Sequence, residues 1–323
     1  MQDDIKITLY EPWMKPQVAQ LFQNEYGIKQ SEFEDLMTKL YEHPIQLKKC
    51  IQIVALDEQK VVGFQSFFYW PYTFEGKIFN SFQSGNSLTH PDYRGKGIFK
   101  KLLNFVFENG NKVDADFFIG FPVQASYGSF VKNKWSNIFD LVWYLKVVNP
   151  FGFLFGKSIL AKVFSRDFMP NGKASIDTFR LNDEAEFVKW KNELKFDKQN
   201  YYYHSFKISD KEEIIFEMKF QVRKKIINEI IIGKVYFKGD SVTKLDIALK
   251  DLLKKIGKAK CVTICSICIN EQLKNPDYKQ VLSTHNFKRL DKKIYFIVKP
   301  LVKGDDVLEA QKWDIGRADI DTW

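Results

Sequence analysis

A glycine-rich segment over residues 94–97 lies between an apolar, β-prone run that ends at Thr89 and a helical pattern that begins near Ile98. Gly95 and Gly97 lack a Cβ, so a ligand can approach the backbone closely. The first N–H groups of a helix have no partner inside it and attract anions. This junction is therefore predicted to bind a diphosphate. The alternative is that the segment is only a flexible turn.

The flanks of this segment resemble the acetyl-CoA-binding motif of the GNAT superfamily of N-acetyltransferases. In that motif a strand ending in apolar-x-Pro precedes Arg/Gln-x-x-Gly-x-Gly/Ala and an amphipathic helix. Residues 89–91 and 94–99 follow this motif, except that Phe99 stands where the motif has its final Gly or Ala. In this departure the chain resembles a bacterial subgroup linked to polysaccharide and amino-sugar acylation. Arg94 and Lys96 are expected to contact phosphate, the alternative being solvated loop charges. The resemblance implies that acetyl-CoA is held by Leu88, Thr89, Arg94, Gly95, Lys96, Gly97, Ile98 and Phe99.

Acyl transfer to an amine requires a polarised thioester carbonyl and two proton movements. By resemblance, the carbonyl meets a backbone N–H of residues 87–89. GNAT proteins often place an acidic Tyr four or five residues before a Gly-Phe pair, but this chain has Phe130 there. Tyr127, about one turn earlier, is the candidate acid. The alternative for Tyr127 is a packed aromatic.

The general base has several candidates, namely His90, Asn86 through an ordered water, Glu25 and His43. His titrates near neutral pH, which suits a base. However, His90 adjoins the phosphate loop, where it could only shape the turn. His43 precedes Pro44 at a helix end, which favours a capping or surface role. The sequence leaves the base open.

The elements that must position these residues follow the GNAT order in the first half of the chain. Periodicity predicts strands at 5–10, 50–56, 61–70, 77–89, 116–121 and 138–147, and helices at 15–26, 31–41, 97–109 and 122–134. Ser31 with Glu34 predicts a capping box for the second helix. The expected fold class is α/β (α+β), a GNAT fold with a mixed central sheet flanked by helices. In that family two central strands splay apart to admit the pantetheine arm.

The second half repeats the pattern, so two tandem GNAT-like domains are expected. We predict a catalytic GNAT domain over 1–150, a connector helix assigned to 151–173 whose apolar pattern covers 153–164, and a degenerate GNAT-like domain with a C-terminal tail over 174–323. The second strand-to-helix junction, residues 237–242, lacks the Arg-x-x-Gly-x-Gly pattern and places Asp240 where an anion would sit. No CoA is expected there.

The C-terminal tail, residues 313–323, is aromatic and acidic for a chain end. Such endings resemble those of the same polysaccharide-associated subgroup. The tail is expected either to close over the acceptor site or to be a packed or disordered terminus.

The charge and motif content of the chain limit the classes of binding partner. The net charge of +9 comes from Lys spread along all 323 residues, which favours an anionic ligand and could favour an anionic membrane surface. No nucleic-acid module is recognised.

The N-terminus shows no signal-peptide pattern, and the apolar region 138–164 is interrupted by charges. No transmembrane segment is therefore expected, and the cytoplasm is the predicted compartment.

Three cysteines form the one pattern that points to other chemistry. Cys261, Cys265 and Cys268 have the Cys-x3-Cys-x2-Cys spacing of radical SAM iron–sulfur enzymes, but they lie in an apolar run typical of a buried strand. The four histidines are scattered. No metal is therefore predicted.

The sequence predicts an acetyl-CoA-dependent N-acetyltransferase. Its partners would be a CoA thioester and a small-molecule amine, with an amino-sugar or a nucleotide-linked amino-sugar favoured by the resemblance. The alternatives are a protein or peptide amine acetyltransferase and a non-catalytic CoA-binding or scaffold protein. The acyl chain and the oligomeric state are not predicted.

Overall fold

The computed structural model describes residues 5–109, 114–166, 177–195, 197–301 and 306–321. Within these ranges the strands are β1 (Lys6–Leu9), β2 (Ile51–Asp57), β3 (Lys60–Tyr69), β4 (Tyr72–Phe74), β5 (Lys77–Phe79), β6 (Ser81–Thr89), β7 (Phe117–Gly120), β8 (Ser136–Val147), β9 (Arg180–Leu181), β10 (Tyr201–Lys207), β11 (Glu213–Arg223), β12 (Ile227–Lys238), β13 (Ile264–Asn270) and β14 (Lys288–Pro300). The helices are α1 (Lys15–Tyr26), α2 (Gln30–Leu36), α3 (Pro44–Leu47), α4 (Ile98–Asn109), α5 (Gln124–Lys132), α6 (Leu160–Val163), α7 (Ala185–Glu193), α8 (Leu245–Ala259) and α9 (Tyr278–Thr284).

A large mixed sheet forms the centre of the described structure. Its order is β1-β2-β3-β6-β7-β14-β8-β13-β12-β11-β10. Neighbouring strands are antiparallel except for β6 with β7 and β12 with β13, which are parallel. The runs β2-β3-β6-β7-β14 and β10-β11-β12-β13-β8 therefore share the same sequence of strand directions, read from opposite edges of the sheet.

Two long strands at the middle of the sheet are exchanged between the halves of the chain. β14, from the end of the chain, lies between β7 and β8, with Phe296 opposite Phe139 and Val298 opposite Ile119. β8 in turn pairs with β13 of the second half, where Tyr144 faces Ile267. The sheet is consequently continuous from one edge to the other.

Three apolar clusters cover the sheet. One lies beneath α4 in the first half, with Leu102 and Leu103 fully buried, and another lies beneath α8 in the second half. The third spans both halves on the side of α1 and α2, and its largest buried side chains are Trp70, Trp190 and Trp313. The C-terminal tail is thus part of the core across its described residues, while Thr322 and Trp323 lie outside them.

Most predicted elements are present, and three details differ. The run 77–89 contains two strands, β5 and β6, and β10 was not predicted. The predicted capping box of Ser31 and Glu34 is wrong, because α2 is capped two residues earlier, where the Lys29 N–H donates to Glu32 Oε2 at 2.7 Å. Helix formation favours this arrangement because it satisfies a free N–H group at the first turn.

The connector also differs from its prediction. A single helix over residues 153–164 is wrong: the segment makes 3₁₀ turns at Gly152–Leu154 and Lys157–Ile159 before the short α6. Extended backbone at Phe155 and Gly156 separates these turns. Residues 167–173 of the predicted connector lie outside the described residues. Among the described helices, none has the length and apolar character needed to cross a membrane.

Candidate functional site

A V-shaped opening between β6 and β7 marks the candidate site. The parallel pairing of these strands stops at Gln83 opposite Ile119, although β6 continues to Thr89. Beyond Gln83, β6 pairs with β3 on its other edge, where Leu88 lies opposite Phe64. One edge of β6 therefore presents backbone groups to the opening, as the splayed strands of the expected fold require.

A bulge in β6 shapes this opening. The register between β3 and β6 shifts between Gln65 and Phe67, which places the extra residue of β6 near Gly85. A Cβ at Gly85 would lie 2.3 Å from the Phe68 ring, so glycine is needed there. The buried Gln65 amide supports the bulge by donating to the Ser84 hydroxyl at 3.1 Å and to the Gly85 carbonyl at 3.2 Å.

The glycine-rich segment lies at the end of β6 and leads into α4. Gly95 and Gly97 have φ values of +80° and +75°, a conformation in which other residues are strained. The segment borders an open groove of about 990 Å³. The groove is lined by Thr89, Tyr93, Arg94, Gly95, Gly97, Ile98, Phe99, Lys100, Ser129, Lys132 and Asn133. The structure thus brings most of the predicted cofactor-binding residues together, with cations on both sides of the groove.

Two predicted contact residues of this segment are partly engaged by the protein. The Arg94 guanidinium donates to Glu25 Oε2 at 2.5 Å and to the Thr89 carbonyl at 3.3 Å. The Lys96 ammonium lies 4.6 Å from the centre of the Tyr93 ring. Leu88 is buried under the strand, so only its backbone can face a ligand in the opening.

A polar cluster lies on the face of β6 opposite α4. The buried Tyr41 hydroxyl lies 2.8 Å from Ser66 Oγ and donates to Asn86 Oδ1 at 2.5 Å. Burial raises the pKa of Tyr41, and the Tyr26 hydroxyl is also hydrogen-bonded to Asn86 with a raised pKa caused first by burial. Asn86, a predicted base through water, is therefore placed beside the bulge among hydroxyl groups.

The other predicted proton-transfer residues lie at separate places. Tyr127 stacks on Tyr295 with ring centres 4.2 Å apart. His90 caps the turn after β6, accepting from the Asp92 N–H at 3.4 Å. His43 caps α3 and lies 3.9 Å from Glu193.

Sequence reasoning missed three polar groups near the opening, namely the amides of Gln65 and Gln83 and the carboxylate of Asp321. Gln83 is only 1% exposed, and its amide donates to Asp321 Oδ1 at 2.6 Å. Gln65, which supports the bulge, is equally buried. Polar amides inside otherwise apolar strands are the signal that could have indicated Gln65 and Gln83, because buried amides need specific partners. Nothing local indicates that Asp321 would meet a strand 238 residues earlier.

Comparisons with known proteins relate part of the chain to one enzyme family. Residues 11–130 match the family model described as an acetyltransferase (GNAT) domain. This segment contains the opening, the bulge and the glycine-rich loop. The protein is accordingly an enzyme of the acyltransferase class.

Solved structures show that the GNAT fold extends beyond this segment. The acyltransferase is similar to a GCN5-related N-acetyltransferase from Anabaena variabilis, at 12% identity and a TM-score of 0.61, over 92% of this chain and 73% of the other. A probable N-acyltransferase from Enterococcus faecalis gives 11% identity and a TM-score of 0.58 over the same shares of the two chains. N-myristoyltransferase from Saccharomyces cerevisiae, solved with myristoyl-CoA, gives 11% identity and a TM-score of 0.50 over 92% of this chain and 79% of the other. These likenesses confirm the predicted fold class. The search of curated proteins found no match.

The cysteine pattern in the second half of the acyltransferase is split across the sheet. Cys265 belongs to the cluster beneath α8, whereas Cys268 belongs to the cluster on the opposite face. Burial raises the pKa of Cys268 to about 12, so its thiol is the favoured form. The three thiols are therefore not arranged around a common point.

Proposed function

We propose that the protein is an acetyl-CoA-dependent N-acetyltransferase that acts on a primary amine, and that the amine belongs to an amino-sugar or a nucleotide-linked amino-sugar. The resemblance of the Phe99 motif to a polysaccharide-associated subgroup supports surface polysaccharide synthesis as its setting. The cytoplasm, where CoA thioesters are formed, is the proposed compartment.

The observation that carries this proposal is the continuity between the groove and the opening. The groove ends at Thr89, the last residue of β6, and the edge of β6 that is not paired with β7 starts five residues earlier, at Ser84. A diphosphate at the loop between Arg94 and Lys100 would thus place an extended pantetheine arm along β6. The thioester would then reach the bulge near Gly85, where a backbone N–H can polarise the carbonyl.

A second cavity has a lining that suits a small polar acceptor. It lies between α7, β12 and the C-terminal tail and is open to solvent. Its charged and amide lining residues are Arg180, Asn182, Lys191, Glu217, Lys234 and Asp319. Both charge signs are present, which suits a polyhydroxylated ligand that carries an amine and an anionic group.

We infer that residues 174–323 form a degenerate GNAT-like domain after a catalytic domain over 1–150. The matching strand directions of the two halves support this division. At the second junction, Asp240 stands before the helical turn that leads into α8, and Gly239 is the lone positive-φ residue there. The proposed second domain therefore offers no cationic phosphate loop, and its role is structural and in acceptor binding.

The first experiment measures acetyl-CoA binding by calorimetry in the wild type, in Arg94→Ala and in Gly97→Trp. We expect about a tenfold or greater loss of affinity in both variants, because one removes a charge-assisted hydrogen bond and the other fills the groove. Arg289→Ala and Gly257→Trp are matched controls, since Arg289 is an exposed ion-pair residue of the second half and a Cβ at Gly257 meets open space. Unaltered binding in both loop variants would contradict the site.

The second experiment measures CoA release from acetyl-CoA with a panel of amines. The panel contains glucosamine, UDP-linked amino-sugars, spermidine and lysine peptides. We expect release with an amino-sugar compound. Release with lysine peptides instead would identify a protein acetyltransferase, and binding of acetyl-CoA without release with any amine would favour the non-catalytic alternative.

A further inference from the structure

The C-terminal tail crosses from the second half of the molecule to the candidate site of the first. Together with residues 306–312, which lead into it, the described part of the tail spans residues 306–321. Its first part is fixed by the buried Asn270 at the end of β13, whose amide donates to the Ala310 carbonyl at 2.7 Å and to the Trp313 carbonyl at 3.0 Å. The tail therefore follows the carboxyl end of β13.

Lys234 of β12 holds the next part of the tail. Its side chain is 6% exposed, and its ammonium donates to the Asp314 carbonyl at 2.6 Å and lies 2.8 Å from Asp319 Oδ2. Burial would lower the pKa of Lys234, but Asp314 and Asp319 raise it overall, so the lysine stays charged. On the other side, the Trp70 indole donates to the Asp319 carbonyl at 2.9 Å. The tail is thus anchored to both halves immediately before Asp321.

Asp321 lies at the apex of the V-shaped opening. It accepts from the amide of Gln83, the last residue of β6 that pairs with β7. The preceding residue, Phe82, belongs to the cluster beneath α4, and successive strand residues point to opposite faces. Gln83 and Asp321 are therefore on the face away from α4. A CoA thioester entering from the α4 side would meet an acceptor entering from the Asp321 side.

The other candidate bases are engaged elsewhere. His90 and His43 accept backbone hydrogen bonds as caps, and Glu25 binds Arg94. Asn86 has no titratable group. Asp321 is the acidic side chain that the described residues place at the point where β6 and β7 part.

We propose that Asp321 is the general base of the acyl transfer, supplied to the first half by the tail of the second. This inference rests on the proposed N-acyltransferase function. The acceptor arrives as an ammonium, and its first proton passes to the Asp321 carboxylate and then to solvent. The nitrogen lone pair forms the N–C bond at the thioester carbonyl, the C–S bond breaks, and the second nitrogen proton passes to the departing thiolate. One amide, one CoA thiol and one released proton balance the step.

Several titratable groups surround Asp321. Lys191 and Lys195 line the same small cavity, and Arg317 faces Asp321 from within the tail. On the side of α1 and α2, Tyr26 and Tyr41 have raised pKa values, caused first by burial and to a smaller extent by Asp321. A pH profile must therefore be compared between variants that leave these five groups unchanged.

The test compares Asp321→Asn, Asp321→Glu and the control Glu309→Gln, using acetyl-CoA and the most active amine of the panel. Glu309 is an exposed acid of the same tail that binds Lys312. We expect Asp321→Asn to lower kcat by about 10²-fold or more, with acetyl-CoA affinity within about twofold of wild type. Asp321→Glu should recover part of the rate, and Glu309→Gln should match wild type.

The pH dependence separates a base from a merely structural carboxylate. Because an amine that is already deprotonated needs no base, the deficit of Asp321→Asn should shrink as the pH approaches the pKa of the free amine. A kcat within threefold of wild type, or a deficit that is constant with pH, would overturn the assignment of Asp321 alone. If the wild type binds acetyl-CoA but transfers to no amine, the proposed function fails and the assignment fails with it.

Discussion

Arg94 is the most informative residue of the phosphate loop because its guanidinium is already bound to a carboxylate. Its partner is Glu25, at the end of α1, which accepts a hydrogen bond from the guanidinium at 2.5 Å. Both side chains are about half exposed, at 56% and 43%. An exposed pair of this kind contributes about 0–1 kcal/mol, so a diphosphate can displace it. At the proposed cofactor site, Glu25 would therefore compete with a diphosphate for Arg94.

Glu25→Gln should tighten acetyl-CoA binding. Removing the competing carboxylate leaves Arg94 available, and the modest strength of exposed ion pairs limits the gain to about two- to fivefold. Calorimetry at low and high salt measures the acetyl-CoA affinity. The gain in affinity should diminish at high salt, because salt screens the Arg94–Glu25 pair. Glu34→Gln is the control, since Glu34 pairs with Lys15 instead. Weaker binding in Glu25→Gln, or a tenfold fall in kcat, would show that Glu25 has another role.

At the scale of elements, a buried ionic network joins α7 to the sheet of the second half. Glu217 of β11 accepts from Lys195, just after α7, at 2.6 Å and from the Tyr236 hydroxyl of β12 at 2.7 Å. Burial alone would raise the pKa of Glu217, but Lys195 and Lys191 lower it to about 2. The ionised form of Glu217 is thus tied to the folded state.

Glu217→Gln should remove an acid-sensitive part of the stability. A carboxyl with a lowered folded pKa contributes stability above its unfolded pKa, near 4.5, and loses it as the pH falls towards 2. At pH 7 the free energy of unfolding of the variant should be about 3–5 kcal/mol lower than that of wild type, because Lys195 is left buried without its carboxylate partner. The difference in free energy of unfolding between the variant and wild type should become smaller as the pH falls from 4.5 to 2. Urea unfolding at a series of pH values measures this difference. Glu186→Gln on the exposed side of α7 should show no such trend.

Elements were predictable from sequence where local periodicity determines them. The strand before the loop, the loop glycines and α4 all follow from short patterns, and so does the order of helices and strands in the first half. The pairing of β14 with β7 was not predictable, because it joins residues far apart and nothing in either strand specifies the partner. The contact of Asp321 with Gln83 was hidden for the same reason, whereas the connector was mistaken for a helix because its apolar spacing resembles one.

At the scale of the whole molecule, the exchange of β8 and β14 makes each half of the chain incomplete. β8, from residues before the proposed boundary at 150, has both of its neighbours, β14 and β13, in the second half. β7 likewise has one neighbour, β14, from the end of the chain. The cluster that contains Trp70, Trp190 and Trp313 also draws on both halves. Cooperative folding of the complete chain is therefore expected, despite the repeated strand pattern.

A fragment of residues 1–150 should not fold alone. Without β14 and β13, β8 would expose Leu141 and Trp143 with no strand on either edge, and unpaired apolar strands aggregate. Co-expression with residues 151–323 should restore a one-to-one complex that binds acetyl-CoA, because the missing neighbours are then supplied in trans. Size-exclusion chromatography and circular dichroism distinguish these states. As a control, a protease site placed at 150 and cut after folding should leave the two fragments associated. A monomeric, folded 1–150 fragment that binds acetyl-CoA would show instead that the exchanged strands are dispensable and that the halves are independent domains.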